Sequence, residues 1–178
     1  MEIKYRQSKG QLGCGSFALA NIFDDERYIA EIPATQGETI GMLNKKIQQF
    51  EPALYIEPAY LTDANFKICN RFMQRELFDL DWSSYGGDIK TVCRCMLMTI
   101  AQDNGQLHMV ALIQNFADST FYVVDSDQPA ISVLTIEILL LRYHIVGIDI
   151  FCCWDSPDLK GAVIAFKKDM PHIFGTGE

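Results

Sequence analysis

The sequence predicts an α+β fold, with helices first and an antiparallel sheet after them. Three observations predict it. Positions 14–23 and 40–50 carry helical apolar patterns. Positions 92–125 alternate apolar runs with turn signals, as sequential antiparallel strands do. A late helical pattern at 132–143 precedes one apolar run at 146–153 and another at 162–166. Grouped helices followed by grouped strands mark α+β rather than strictly alternating α/β.

Residues 1–13 read as extended chain and then loop, broken by Gly10 and Gly13. From Cys14 to position 23 the apolar residues Phe17, Leu19, Ala20, Ile22 and Phe23 cover most of a helix surface, so this helix is expected to be buried. Residues 24–37 are charged and loop-like. Thr39 is placed to cap a second helix over 40–50, with Ile40, Leu43, Ile47 and Phe50 on one stripe. Residues 53–61 read as a strand, 66–78 as a short helix and 82–87 as a loop. A strand over 92–101 then meets Gln102-Asp-Asn-Gly105, a hairpin signal. The return strand runs over 108–114, a turn over 115–119, and a third strand over 120–125. The tail from Pro171 is expected to fray.

A length of 178 residues suits one domain with a sizeable core. The charge of −8 disfavours nucleic acid and anionic membrane as partners. The longest apolar run, near 138–141, is far short of the ~20 residues that span a bilayer. Met1-Glu-Ile-Lys-Tyr-Arg6 carries no apolar leader, so a reducing, cytoplasmic setting is expected. No CxxC pair, phosphate loop or HExxH helix stands in the chain. Neither metal nor cofactor is therefore expected. Cys69, Cys93, Cys95, Cys152 and Cys153 are expected as small core hydrophobes.

Cys14 is different. It stands between glycines where a loop becomes a buried helix, and the positive end of a helix favours a thiolate, the attacking form of cysteine. Cysteine catalysis also needs a proton carrier and a group that orients it. Of three histidines, His144 follows the late helix and His172 lies in the tail. His108 opens a strand just after a tight turn and is the best placed. Asp125 closes the strand Phe121-Tyr-Val-Val-Asp125. The midpoint of positions 108 and 125 falls inside the 115–119 turn, so antiparallel pairing is expected to set Asp125 directly across from His108. Asp127 is the alternative acid. A glutamine before the cysteine can donate to a developing oxyanion beside the Cys14 N–H, and Gln7 and Gln11 are the candidates.

Cys14-Gly-Ser-Phe-Ala-Leu-Ala-Asn21, Leu107-His-Met-Val-Ala-Leu-Ile113, Tyr122-Val-Val-Asp125 and the chain order Cys–His–Asp together resemble the papain-like cysteine peptidases. Within that superfamily the chain looks most like the bacteriocin-leader-processing peptidases (family C thirty-nine). The resemblance covers three short blocks within 7–128. It implies Cys14 as nucleophile, His108 as general base and acid, and Asp125 as orienter. It also implies a protein or peptide substrate cleaved after small residues such as Gly-Gly. The family glutamine stands about six residues before the cysteine, which favours Gln7 over Gln11, with one residue inserted. The family often has Asp just before the cysteine, where this chain has Gly13. Residues 130–178 read as an extension of a single domain. Transglutaminase-type acyl transfer, an effector acting on another protein, and a catalytically silent accessory subunit on the same scaffold are the alternative functions.

Overall fold

The computed structural model describes residues 1–33, 35–61, 93–115, 118–154 and 170–175, with only the backbone described at 59–61. The helix expected at 66–78, the loop at 82–87, the strand at 162–166 and Cys69 lie outside the described residues.

The architecture is mixed helix and antiparallel sheet. Helix α1 (Cys14–Phe23) is buried along its whole length after Cys14. It ends at Asp24, whose φ of 53° is left-handed and whose N–H reaches back to the Ala20 carbonyl. Helix α2 (Ile40–Phe50) starts at Thr39, whose hydroxyl accepts the Met42 N–H at 3.3 Å. It buries Leu43 and Ile47, the stripe expected from the spacing. The segment between these helices is less loop-like than its charges suggest. A 3-10 turn (Glu26–Ile29) delivers Tyr28 into the core, stacked on Phe23 and edge-on to Phe50.

Six strands form one sheet: β1 (Leu54–Leu61), β2 (Cys93–Ala101), β3 (Leu107–Asn115), β4 (Thr120–Val124), β5 (Ser132–Leu134) and β6 (Ile145–Cys153). The spatial order is β1-β6-β2-β3-β4-β5, and every neighbouring pair is antiparallel. The β2–β3–β4 meander is the one the turn signals indicate. The β2–β3 turn closes with Gly105, at φ 80°, donating to the Gln102 carbonyl. The helix expected over 132–143 is shorter: residues 132–134 pair as β5, and Thr135 caps α3 (Ile136–Arg142). Edge pairing with β4 wins those three residues from the helix.

Residue alternation splits the core into two layers. On one face Cys95, Leu97, Met109, Ala111 and Ile113 pack with α1 and α2. On the other, Met96, Met98, Val110, Leu112 and Ile148 pack with Leu139 of α3. Cys152 and Cys153 fall on opposite layers, and Cys93, Cys95 and Cys152 are buried as expected. The tail does not fray where it is described. Residues Pro171–Phe174 form one helical turn, α4; Met170 and Ile173 are buried, and Phe174 meets Tyr122 edge-on at 4.8 Å. Burying those side chains outweighs the cost of ordering the end. No helix among the described residues is long and apolar enough to cross a membrane.

Candidate active site

Cys14 is the first residue of α1 and is half-buried, with a free thiol. The glycines on either side have separate reasons. Gly13 takes φ 93°, and a side chain there would put Cβ 2.5 Å from Ile32 Cγ2. At Gly15 a Cβ would lie 2.7 Å from Leu43 Cδ1 and 3.2 Å from Met109 Sδ. The first turn of α1 is thus pressed against α2 and against the residue that follows His108. The Cys-Gly step is what lets the sulfur come this close to β3.

His108 is the second residue of β3 and is buried, 5% exposed. Its Nε2 bonds Asp125 Oδ1 at 2.8 Å, and Asp127 Oδ2 stands 3.7 Å away. The same ring also hydrogen-bonds the Cys14 side chain. Nε2 faces Asp125, which leaves Nδ1 for the sulfur. Burial alone pushes the imidazole pKa down. The hydrogen bonds and charges of Asp125 and Cys14 outweigh it and raise the pKa from 6.5 to about 10. The structure therefore brings together Cys14, His108 and Asp125.

The expected register is corrected. The β3–β4 ladder runs from Asn115↔Thr120 to Ala111↔Val124, and Asp125 lies just past its end. Continued, that ladder sets Asp125 across from Val110 and Asp127 across from His108. The tight turn is centred later than the sequence suggests, which moves the register by two residues. A shift of two keeps Asp125 on the face of His108, so the contact is diagonal instead of direct. Asp125 is fixed further by the turn it begins: Oδ1 accepts the Asp127 N–H at 3.0 Å, and its carbonyl accepts the Gln128 N–H at 2.8 Å.

The two glutamines part company. Gln7 is half-buried and tied to the residue after Asp125. Its N–H donates to the Ser126 carbonyl at 3.0 Å, and its Oε1 accepts the buried Ser126 hydroxyl at 3.1 Å. Its Nε2 donates to the Gln11 carbonyl. Gln11 is exposed, and its Oε1 turns back to the Ser8 N–H at 3.0 Å. The backbone N–H groups of Cys14 and Gly15 donate to no described residue, as expected at an open helix start. His144 is exposed at the end of α3. His172, expected in a frayed tail, instead bonds the Asn21 carbonyl through Nε2 at 2.9 Å.

His108, Asp125 and Asp127 offer donor atoms within 4.8 Å of one another, close enough to share a cation. A protonated His108, however, has no lone pair free at Nε2. Three site residues were not visible in the sequence. Ser126 sits in an Asp-Ser-Asp run that reads as ordinary turn chemistry. Glu38 and Lys46 look like solvated charges around a capped helix. In the structure Glu38 is at the start of α1, accepting the Ser16 N–H at 2.8 Å and pairing with Lys46 at 2.8 Å. No local spacing signals that contact, because it joins two separate helices.

No protein-family model matches the chain, and no curated protein matches it.

Proposed function

We propose that this chain is a papain-like cysteine hydrolase acting on peptide or amide bonds. The observation that carries the reading is a single imidazole, His108, bonded at once to a carboxylate and to a cysteine at the start of a buried helix. His108 carries the proton at rest. The Cys14 sulfur attacks the carbonyl carbon, and the C=O electron pair moves onto oxygen, where the free Cys14 N–H can donate. Collapse breaks the C–N bond, and the His108 proton goes to the leaving amine. His108 then takes a proton from water as the water oxygen attacks the thioester. Collapse releases the acid, expels sulfur, and restores the starting pair. Asp125 keeps the ring oriented throughout. By resemblance the substrate is a protein or peptide with small residues such as Gly-Gly before the scissile bond. The described cysteines are all free thiols, which suits a reducing, cytoplasmic setting.

One observation favours a second reading, the silent accessory scaffold: the amide of Gln7 is already engaged by Gln11 and Ser126. A peptide library read by mass spectrometry separates the two. Cleavage that disappears in Cys14→Ala and in His108→Ala supports the hydrolase. Cleavage that survives Cys14→Ala, or its absence from the wild-type chain, removes it.

A further inference from the structure

Helix α1 has no side-chain cap of its own, since Gly13 occupies the cap position. The cap comes from outside the helix. Glu38, its side chain 2% exposed, accepts the Ser16 N–H at 2.8 Å and the Ser16 hydroxyl at 2.5 Å. Ser16 is two residues after Cys14, about 3 Å along the helix axis. A carboxylate there stabilises the helix, but it occupies the same first turn whose positive end would favour a sulfur anion. Two negative groups at one helix start repel. Lys46 answers this. Its ammonium sits 2.8 Å from Glu38 Oε1 and 2.5 Å from Ser16 Oγ, and backbone carbonyls of Tyr28 and Glu31 hold it there. Its side chain is 16% exposed, so solvent screens the pair only in part.

We propose that Lys46 is a positioning residue that sets the reactivity of Cys14 by neutralising Glu38, the buried carboxylate capping the helix that carries the thiol. The proposal rests on the assignment of Cys14 as nucleophile, and its effect is read on the thiol itself. The other charged groups around that thiol, among the described residues, are few. His108 faces it from β3, with Asp125 and Asp127 behind the ring. Glu31 and Lys45 line the cavity beside Lys46, Asp25 pairs with Arg27 on the 3-10 turn, and Asp24 pairs with Lys4 at the far end of α1. Only Glu38 contacts the first turn of α1 directly.

The test is the pH dependence of Cys14 alkylation by iodoacetamide in the full chain, mapped to the Cys14 peptide. Lys46→Met leaves the carboxylate unpaired and should move the midpoint up by about one pH unit, roughly tenfold in rate below it. Glu38→Gln keeps an acceptor for the Ser16 N–H and should move the midpoint down. The double variant should return towards wild type, and Lys46→Arg should match it. If Lys46→Met does not fold by circular dichroism, Glu38→Gln decides alone: a downward shift supports the proposal and no shift overturns it. Shifts of the same sign in Lys46→Met and Glu38→Gln also overturn it, since general loosening would produce them. Shifted midpoints in a chain that cleaves nothing would leave this coupling standing and remove the hydrolase reading instead.

Discussion

His108 sits in a buried position that disfavours charge, yet it holds a proton because Asp125 and Cys14 reward the charged ring more than burial penalises it. Its pKa is raised above the ordinary value, so the stability it lends is complete below pH 6.5 and is lost as the pH climbs to about 10. Replacing Asp125 with Asn should bring the His108 titration down, followed through the imidazole proton resonances, and flatten stability across that window. The same variant should lower turnover by about 10²–10⁴-fold, since the ring loses the partner that orients it. Sequence reasoning reached these residues because each carries a local mark: a cysteine between glycines, a histidine after a turn, an aspartate closing a strand. Ser126, Glu38 and Lys46 carry no such mark. Their partners come from elements far away in sequence, and only the fold brings them together.

Each site element is positioned by a close approach rather than by a long interface. The start of α1 is set by Gly13, with φ 93° and Ile32 against it. Gly13→Ala imposes a left-handed backbone on a side chain and drives Cβ into Ile32. It should cost about 2–3 kcal/mol, read by chemical denaturation. It should also slow Cys14 alkylation, because the helix start moves with it. Among the strands, the β2–β3–β4 meander was legible because its turns are written in Gly, Asn and Asp. Its register was not, since a turn of unknown type leaves the pairing free by a residue or two. The β5 segment shows the opposite failure: a helical pattern gave way to edge pairing that no local spacing records.

Over the whole molecule the least legible strand is β6, an almost fully buried run whose place between β1 and β2 depends on pairing across long stretches of chain. It carries Asp149, 3% exposed, whose Oδ1 has no hydrogen-bond partner among the described residues. Burial raises that carboxyl from 3.8 to about 6. The folded chain thus favours the protonated acid, an advantage complete below pH 3.8 and lost as the pH rises through about 6. Asp149→Asn should therefore melt higher than wild type at pH 7, with the difference closing towards pH 4. The carboxyl end matters in the same way. Removing residues 170–178 strips Met170 and Ile173 from the core and should cost about 3–5 kcal/mol, measured by urea unfolding.

The lateness of β6 in the chain also has a consequence for synthesis. Strands β1 and β2 are not paired with each other, and their facing edges wait for residues 145–153. Phe23, at the end of α1, packs edge-on against Phe151 of that same strand. A ribosome therefore releases Cys14, His108 and Asp125 long before the seat of α1 exists. The thiol and its imidazole meet in their final geometry only near the end of translation, so the unfinished chain is spared its own chemistry.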